Sequence, residues 1–596
     1  MNTSTSFGTH TAASQTKDLG FSLSNGTGAF CCFGIESKYR GWFVPVGGKM
    51  LKILDDIQLH PPVSGLRNEN GSIALQRGPF SQRLLMPEGV DGLACALSSP
   101  QEMKVLFDVK HPYDQRQWGR EYAVAREGKH LLVSFIKRAD SREDPSSGAE
   151  EYKIYIAVSC NGQPEIVRGW AERRFPFDER RNSPPFSRFV FHALTATTDT
   201  LVLGVGSNAQ EAIHACEKTE RSLKKMQVQH QPPLLHLPDH LALAAQCASD
   251  ALSGLIHDSR IYAGLPWFFQ EWSRDTLISV RALILKKKYA LAKEILLRYL
   301  KAIQPDGTLL SKEGGIVSAD AFGWLCLRLE ELLSALEKQK AHSRFFKRRE
   351  LEEMIELLEK AASGLFQRHT QNHLATCENK TTWMDSIDRG ASPIELQAQR
   401  LRLYDVLYRL TKKKVYADLK EKLLKKTRQL FWHEGKLRDS AEDGTIRPNI
   451  FLAAYIYPNF LSAKEWERCF DKALPRLWLP WGGLATIDKT DRRYRDRHTG
   501  ERPESYHNGD SWYWLNNLAA LVLHRLNARK YKKYVDAITN ASVRDILWQG
   551  FSGAHSELSS AAEQEPGGCL NQAWSDALFL ELAFELADKR GHKHFK

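Results

Sequence analysis

The hydrophobic period of this chain changes once, between about residues 227 and 241, and this change constrains the fold more than any other feature. Before it, apolar and polar residues alternate, as over residues 103–109, and turn signals such as Asn25-Gly26 separate the runs. Such alternation predicts an antiparallel β-sandwich. After it, apolar residues recur every three to four positions, as over residues 277–284, which predicts amphipathic helices.

We therefore predict an N-terminal β-sandwich domain over residues 1–227, a proline-containing linker over 228–240 and a helical domain over 241–596. One helix, at about 209–227, is expected to close the first domain. Roughly twelve helices in the second domain suit an (α/α)6 barrel, with six inner and six outer helices. They also suit an irregular helical array, and periodicity alone does not separate the two. The predicted helix cores are 240–257, 273–288, 290–303, 318–338, 349–368, 393–411, 414–431, 449–456, 463–477, 510–527, 531–547 and 571–589.

The loops between these helices carry the unusual residues of the second domain, whereas the helices themselves are ordinary. Each loop combines polar hydrogen-bonding groups with a tryptophan or a glycine. Functional residues belong on loops that a rigid scaffold holds, so this distribution favours a barrel with a pocket at one end. The six loops are 266–276, 311–321, 380–397, 443–449, 505–512 and 556–575.

The composition is that of a globular enzyme, with 42% hydrophobic and 26% charged residues and fifteen tryptophans among 596 residues. The net charge of +12 raises the question of an anionic partner. The lysines and arginines are spread over helix faces, as in Lys286-Lys287-Lys288 and Lys412-Lys413-Lys414, and no basic block alternates with aromatic residues. We therefore expect no nucleic-acid partner.

Other classes of protein are excluded by what the sequence does not contain. The ten cysteines lack the spacing of zinc or thioredoxin motifs. Residues 1–17 are polar, without the apolar segment of a signal peptide, and no apolar run has membrane-spanning length. We expect a reduced, cytoplasmic protein with no membrane partner. Because no phosphate loop, dinucleotide fingerprint or metal-ligand spacing is present, we expect no cofactor and no metal.

The first loop has the residues of a sugar-binding site. Trp267 and Trp272 offer flat aromatic faces that suit the apolar face of a pyranose, and the adjacent Arg274 and Asp275 can hydrogen-bond hydroxyl groups. The alternative is a helix N-terminus with a buried aromatic cluster and a structural ion pair.

Several loops also provide carboxylates. Hydrolysis of a glycoside requires two of them: one protonates the leaving oxygen, and the other activates water or attacks the anomeric carbon. The candidates are Asp275, Asp320, Asp385, Glu395, Asp510 and Glu557.

Two N-terminal segments, 24–29 and 38–41, and seven motifs in the six loops follow one another along the chain. Six of the loop motifs are Trp-Ser-Arg-Asp-Thr-Leu-Ile-Ser at 272–279, Thr-Trp-Met-Asp at 382–385, Pro-Ile-Glu-Leu-Gln-Ala at 393–398, Asp-Gly-Thr-Ile-Arg-Pro-Asn at 443–449, Tyr-His-Asn-Gly-Asp-Ser-Trp at 506–512 and Gly-Cys-Leu-Asn-Gln-Ala-Trp-Ser at 568–575, and the seventh lies at 316–321. Taken in order, these motifs resemble the amylo-α-1,6-glucosidase domain of glycogen debranching enzymes, although the match at 316–321 is partial, without the family's Tyr and Asn. The resemblance covers nearly the whole chain, and a set of colinear motifs is far more specific than any one of them.

This resemblance implies a β-sandwich packed on a catalytic (α/α)6 barrel that removes single α-1,6-linked glucose stubs from glycogen or limit dextrin with inversion. It implies that Asp385 is the general acid and that Glu557, which lies ahead of Gly568-Cys569, is the base. It also implies that Arg274 and Asp275 grip the terminal glucose. The other residues predicted to bind substrate are Trp267, Trp272, Asp320, Trp383, Glu395, Arg447, His507, Asp510, Trp512 and Trp574.

The chain departs from the family pattern at three places. Residues 559–562, Ser-Ser-Ala-Ala, replace the stretch that follows the family's base, so Glu563 and Glu565 are rivals of Glu557. Asp510 stands where prokaryotic members have Thr or Ser. The loop at 386–389 is short, which affects the subsites for the leaving group.

Each assignment has a structural alternative. Asp385 and Asp320 could cap the helices that follow them. Glu557 could be an ordinary solvent-facing residue. The predicted wall residues Trp383, Trp512 and Trp574 could belong to the core.

Two other functional classes stay open at the level of sequence. One is a glucoamylase-like, phosphorolytic or otherwise different barrel enzyme, and phosphate-dependent glucose release would reveal a phosphorylase. The other is a catalytically silent glycan-binding protein, which would bind glycogen without releasing reducing sugar.

Overall fold

A computed structural model describes residues 5–6, 9–13, 20–68, 72–139, 151–226, 234–588 and 595. The chain folds into an antiparallel β domain followed by a helical domain. Both were predicted from the change of period, and both are confirmed. The predicted linker lies partly outside the described residues, at 228–233, while its last residues already belong to a helix that begins at Asp239.

The described part of the N-terminal domain contains fifteen strands, all of whose pairings with one another are antiparallel. The strands predicted around residues 103–109 and 152–158 are among them. The strands are β1 Thr5–Ser6, β2 Thr9–Ala13, β3 Phe21–Ser24, β4 Phe30–Phe33, β5 Gly41–Val46, β6 Lys49–Gln58, β7 Gly65–Asn68, β8 Ser72–Arg77, β9 Phe80–Leu85, β10 Gly92–Lys110, β11 Arg120–Glu127, β12 His130–Lys137, β13 Tyr152–Cys160, β14 Glu165–Arg174 and β15 Ser187–Gly206.

Two long strands, β10 and β15, organise this domain. They pair with each other along most of their length, and each exchanges its outer neighbour partway along. The first part of β10 pairs with β9 and its second part with β6. The first part of β15 pairs with β14 and its second part with β13. The two halves of the sheet network therefore share two strands, and one hydrophobic core contains side chains from both halves.

The helices of the second domain occupy the predicted segments, with ends that differ by a few residues. The differences do not exceed three residues: the predicted starts at 318 and 510 precede the helices, and the predicted ends at 257 and 288 lie beyond them. The chain's helices are α1 Pro176–Arg180, α2 Ala209–Lys225, α3 Asp239–Gly254, α4 Ser273–Leu285, α5 Tyr289–Lys301, α6 Ala321–Lys338, α7 His342–Phe345, α8 Arg348–Arg368, α9 Ile394–Thr411, α10 Lys414–Phe431, α11 Asn449–Ile456, α12 Ala463–Leu477, α13 Tyr513–Asn527, α14 Lys532–Trp548 and α15 Ala573–Ala587, and a 3-10 helix covers Pro458–Phe460.

Thirteen short strands, β16 to β28, lie in the loops of the helical domain. Those beside α4, α13 and α15 have a direct bearing on the site described below. The strands are β16 Ile256–His257, β17 Arg260–Leu265, β18 Phe268–Glu271, β19 Leu309–Leu310, β20 Val317–Ser318, β21 Thr370–Gln371, β22 Leu374–Ala375, β23 Trp432–His433, β24 Lys436–Leu437, β25 Ser511–Trp512, β26 Leu558–Ser559, β27 Pro566–Gly567 and β28 Asn571–Gln572.

Six helices contact one another in a closed cycle, α4–α6–α9–α11–α13–α15 and back to α4. They are buried on nearly all sides: in α15 every residue from Ala573 to Ala583 is buried. The helices that alternate with them along the chain bury one face only, as α10 does through Tyr416, Leu423, Thr427 and Phe431. Among the described residues, no helix combines the length and the apolar character needed to cross a bilayer.

The β domain contacts the helical domain beside the first predicted site loop. The guanidinium of Arg181 lies 3.7 Å from the ring centre of Trp267. The hydroxyl of Tyr113 donates a 2.5 Å hydrogen bond to the carbonyl oxygen of Trp267 and accepts one from Gln270. The β domain therefore fixes the strand that leads into α4.

Gly204 sets how closely α2 packs on the β domain, which gives a test of the fold. A Cβ atom at this residue of β15 would lie 2.1 Å from the nitrogen of Cys216 and 2.4 Å from the carbonyl oxygen of Ala212. We expect Gly204→Ala to reduce stability by about 1–3 kcal/mol, because helix and sheet must separate. Gly169→Ala, in the neighbouring strand, makes only an ordinary 3.5 Å contact and is the control for thermal unfolding. Equal midpoints for the two variants would contradict this packing.

Candidate active site

Three strand-to-helix junctions bring side chains to one place. The short strands β18, β25 and β28 lead almost directly into α4, α13 and α15, which are neighbours in the helix cycle. The last residues before these helices, Trp272, Trp512 and Gln572, have extended backbones. The side chains of these three residues line one pocket above the helix N-termini.

A small pocket, with a cavity volume of about 70 Å³, lies at this meeting point and opens to solvent. Four predicted residues, Trp272, Trp383, Trp512 and Trp574, form much of its wall. The lining residues are Ala263, Phe268, Trp272, Arg274, Asp275, Trp383, Asp385, Tyr506, Trp512, Glu557, Gln572 and Trp574.

The tryptophan wall is held rigidly by contacts behind it. The indole nitrogen of Trp383 donates a 2.8 Å hydrogen bond to Asn449, and that of Trp512 donates a 2.7 Å bond to the carbonyl oxygen of Tyr506. The ring of Trp574 stacks on Trp514 with 4.9 Å between ring centres. Trp383, Trp512 and Trp574 are thus at once core residues and pocket wall, so the two sequence interpretations describe the same side chains.

Arg274 is a buried cation that joins three segments of the site. Its guanidinium donates 3.3 Å hydrogen bonds to Ser318, Asp320 and Asp385. Burial acts to lower the pKa of Arg274, but Asp320, Asp385 and Asp275 act more strongly and raise it. Arg274 is therefore a permanent positive charge in the pocket wall.

Asp320 supports this arrangement from behind. One of its oxygens accepts from Arg274 and Ser318, and the other accepts a 2.9 Å bond from the backbone nitrogen of Trp383. Although Asp320 stands at the N-cap position of α6, its side chain makes no capping hydrogen bond. It is 1% exposed and does not line the pocket, so its oxygens position Arg274 and Trp383.

Asp385 faces the open side of the pocket. Its side chain is 45% exposed, and it is not a helix cap, because α9 begins nine residues later, after Pro393. Partial burial raises the pKa of Asp385, Arg274 acts against that shift, and Asp320 adds to it. A carboxyl with a raised pKa retains its proton at higher pH, as a general acid requires.

Glu557 lies deep in the same pocket, with 2% exposure. The hydroxyl of Tyr506 donates a 2.5 Å hydrogen bond to one of its oxygens, and the backbone nitrogen of Cys569 donates a 2.8 Å bond to the other. Burial raises the pKa of Glu557 to about 7, although both hydrogen bonds oppose that shift. The alternative that Glu557 is a solvent-facing residue is wrong.

The rival carboxylates of the same loop lie elsewhere. Glu563 and Glu565 are exposed and do not line the pocket. The glycine of the Gly568-Cys569 motif has a clear steric role, because a Cβ atom on Gly568 would lie 2.0 Å from an oxygen of Glu557. Its φ of +64° also favours glycine.

Asp275 is the third carboxylate of the pocket. The amide of Gln572 donates a 3.0 Å hydrogen bond to one of its oxygens. Burial raises the pKa of Asp275 to about 7. The positive charge of Arg274 lowers this pKa, and the negative charge of Glu557 raises it. Asp275 and Glu557 therefore disfavour each other's charged forms across the pocket.

Two predicted binding residues lie in a buried network behind the pocket wall. Glu395 forms a two-pronged ion pair with Arg389, at 2.6 and 2.9 Å, and Arg389 also pairs with Asp439. Arg447 donates to the carbonyl oxygens of Thr486 and His507 at 3.0 and 2.7 Å. Neither Glu395 nor Arg447 lines the pocket, so their side chains fix loops.

The predicted residues His507 and Asp510 are also behind the wall. Nδ1 of His507 lies 2.7 Å from the hydroxyl of Ser386, and its ring stacks on Trp512 with 5.2 Å between centres. Burial and the nearby arginines hold the pKa of His507 well below its usual range, so the ring is neutral. Asp510 is fully buried and lies 2.7 Å from both His498 and Ser505.

The remaining predicted residue, Trp267, packs at the contact with the β domain, outside the pocket. Sequence reasoning in turn missed Tyr506, Gln572, Phe268 and Ala263, which line the pocket. Tyr506 and Gln572 lie inside the motifs at 506–512 and 568–575, so their position in a motif could have identified them. They were missed because the predicted site residues were chosen mainly as charged residues and tryptophans.

Comparison with solved structures shows that this fold recurs. A bacterial glucoamylase complexed with acarbose superimposes with a TM-score of 0.62 at 12% identity, covering 97% of this chain and 94% of that one. A GH63 mannosylglycerate hydrolase from Thermus thermophilus, in complex with Tris, gives a TM-score of 0.45 at 12% identity and covers 56% of this chain and 99% of that one. No curated protein matches the chain by sequence.

The family assignment rests on the sequence of the helical domain. The model of the family described as amylo-alpha-1,6-glucosidase matches residues 246–581, more than half of the chain. The matched region includes every residue that lines the pocket. This chain therefore belongs to the amylo-α-1,6-glucosidase family and is, by family and fold, a glycoside hydrolase.

Proposed function

We propose that this protein removes single α-1,6-linked glucose stubs from a branched α-glucan such as glycogen or limit dextrin, with inversion at the anomeric carbon. One observation carries the proposal: Asp385, Glu557 and the Arg274–Asp275 pair line a single tryptophan-walled pocket inside the family-matched region. The closed helix cycle and the antiparallel β domain also support the predicted (α/α)6 barrel and β-sandwich. The cytoplasmic location stays a prediction.

In this mechanism Asp385 donates its proton to the glycosidic oxygen as the bond from that oxygen to the anomeric carbon breaks. Glu557 takes a proton from a water molecule, whose oxygen bonds to the anomeric carbon from the opposite face. The products are β-glucose and a chain with one fewer branch stub. Glu557 starts ionised and Asp385 starts protonated, and the two exchange states during the reaction.

The difference in exposure between the two carboxylates supports their assigned roles. Glu557 is enclosed, at 2% exposure, whereas the side chain of Asp385 is 45% exposed. The terminal glucose then occupies the enclosed part beside Asp275 and Glu557, and the polymeric leaving group extends past Asp385 to solvent. A small enclosed subsite of this kind suits the removal of one sugar at a time.

A glucoamylase-like activity on linear α-1,4 chains is the second candidate. The observation in its favour is the similarity of both domains to the bacterial glucoamylase structure. At 12% identity this similarity concerns the fold, and it leaves the linkage to be decided by experiment.

Substrate preference tests the proposed linkage. We expect glucose to be released faster from a limit dextrin with single α-1,6 stubs than from a linear maltooligosaccharide, measured side by side at equal concentrations of chain ends. Faster release from the linear chain would favour the glucoamylase-like activity. Glucose 1-phosphate formed only with added phosphate would indicate a phosphorylase, and binding of glycogen without release would indicate a silent protein.

Asp385→Asn tests the general acid. The amide keeps the shape but carries no transferable proton, so we expect turnover of the natural branch to fall by roughly two to four orders of magnitude. An activated aryl glucoside, whose leaving group needs little protonation, should lose much less. Asp388→Asn, in the same loop and exposed, is the matched control. Equal losses of turnover on both substrates would show that Asp385 is not the general acid.

Glu557 and Tyr506 together test the general base. The base must be ionised, so kcat/KM should fall below a pH of about 7, where Glu557 gains a proton. Tyr506→Phe removes a donor that stabilises the carboxylate, which raises the pKa of Glu557, so the acidic limb should move to higher pH.

Product configuration and three further variants complete this test. Glu557→Gln should abolish turnover, with Glu563→Gln and Glu565→Gln as active controls. Proton NMR of fresh product should show β-glucose. An acidic limb that Tyr506→Phe leaves in place would belong to another group, such as Asp275, and α-glucose as first product would exclude inversion.

A further inference from the structure

The turns that follow four helices of the cycle, α4, α6, α9 and α13, share a property that the proposed hydrolysis does not use. Residues just before α4 and α13 line the pocket, Asp320 before α6 bonds the pocket residue Arg274, and Glu395 in the first turn of α9 lies in the network behind the pocket wall. The turns after these four helices therefore lie at the opposite end of the domain. Even the shortest of these helices, α4 with its thirteen residues, separates the two ends by about 20 Å. We call the turns 286–288, 338–349, 412–414 and 529–533, taken together, the basic end.

The basic end contains sixteen lysines and arginines and no aspartate or glutamate. Lys287, Lys288, Lys340, Lys412 and Lys414 are exposed and make no ion pair with any described residue. The first two turns adjoin each other, because Tyr289 packs on Phe345 and accepts a hydrogen bond from Gln339. Arg348, Lys413, Lys530 and Lys532 pair with acids of the adjoining helices, so the unpaired lysines carry the excess positive charge of this end.

The backbone gives a second and independent observation. Lys287, Lys340 and Lys412, each just past the end of an inner helix, have φ values of 58°, 53° and 59°. In this left-handed conformation glycine or asparagine is the usual residue, because a Cβ atom is disfavoured. A lysine near a helix C-terminus does gain from the helix dipole. That gain does not require the lysine at the strained position, since the neighbouring residues could supply the charge.

We propose that the basic end is a docking surface for an anionic lipid membrane. The cations lie in turns that all follow helices of the contact cycle, and a cluster of exposed lysines suits a surface of negative charge. Next to Lys412–Lys414, the side chains of Tyr408 and Val415 are 41% and 52% exposed, and basic residues beside exposed apolar ones suit the headgroup boundary. Single-stranded nucleic acid would instead require stacked aromatic platforms between the cations.

This surface goes beyond the proposed function and does not depend on it. The sequence-based expectation of no membrane partner rested on the lack of a spanning segment, which concerns insertion and not adsorption. Adsorption through the basic end would leave the catalytic pocket facing away from the bilayer, where a large branched polymer has access.

The test is sedimentation of the full-length protein with vesicles of phosphatidylcholine and phosphatidylglycerol, compared with vesicles of phosphatidylcholine alone. We expect binding to the anionic vesicles only, and its loss in about 1 M NaCl, where the screening length is about 3 Å. Each lysine near an anionic surface is worth about fivefold in affinity, so the triple variant Lys287→Gly, Lys340→Gly and Lys412→Gly should bind about two orders of magnitude more weakly.

Two further variants make the result specific. The triple glycine variant should melt no lower than the wild type, because glycine suits the left-handed positions. Lys288→Gln with Lys414→Gln and Lys533→Gln removes charge without a backbone effect and should also weaken binding. Lys104→Gln with Lys153→Gln and Lys225→Gln, all exposed in the β domain, removes the same charge and should bind like the wild type. Glucose release from soluble substrate should stay unchanged in all three.

Three outcomes would overturn the proposal. The first is no binding to anionic vesicles at low salt. The second is an equal loss of binding in the β-domain control, which would show a diffuse effect of net charge. The third is tighter binding of the basic end to duplex DNA or to an acidic polypeptide such as poly-glutamate than to the vesicles, which would assign the surface to that class of partner.

Discussion

The site depends on one buried cation. Arg274 begins α4, Asp320 precedes α6 and Asp385 stands in the loop before α9, and the guanidinium bonds both carboxylates at 3.3 Å. Removing one member of a buried charge network leaves an uncompensated charge, at a cost of about 3–5 kcal/mol. The same contacts that orient Asp385 therefore also join three helices of the cycle. A change that disturbs the contacts of Arg274 would therefore alter both the geometry of the pocket and the packing of these helices.

The carboxylates of the pocket differ in burial, and this difference supports the tasks proposed for them. Asp385 is half exposed and bonded to Arg274, whereas Glu557 is enclosed and bonded only to the neutral donors Tyr506 and Cys569. Without a cation in direct contact, Glu557 has a pKa near neutrality, where a general base works best. Asp275, with a similarly raised pKa, adds negative charge beside it. An oxocarbenium-like transition state between these groups would be stabilised by both carboxylates.

The sequence predicted the elements well because each followed from a local pattern. The period of apolar residues located twelve helices of the second domain, and the motifs located the loops that meet above them. What local patterns do not contain is the direction of a side chain within its loop. From the sequence, Glu395 and Asp510 were predicted to be carboxylates that contact substrate. In the structure both lie behind the pocket wall, where Glu395 pairs with Arg389 and Asp510 contacts His498. A buried charge needs a partner, and the partner comes from a distant segment that spacing does not reveal.

The same limit explains why Tyr506 and Gln572 were missed. Tyr506 donates a hydrogen bond to Glu557, and Gln572 donates one to Asp275. Many residue types can donate such a supporting hydrogen bond, so residue type alone does not predict this role. The backbone around them shows how tightly the support is built. Gly264 pairs with Gln572, and a Cβ atom there would lie 2.1 Å from the side-chain oxygen of Gln572. Gly568 makes the corresponding close approach to Glu557. Gly568 thus leaves room for Glu557, and Gly264 leaves room for Gln572, which donates to Asp275. A side chain at either glycine would displace a carboxylate or its donor, so these two glycines are as necessary to the pocket as its acids.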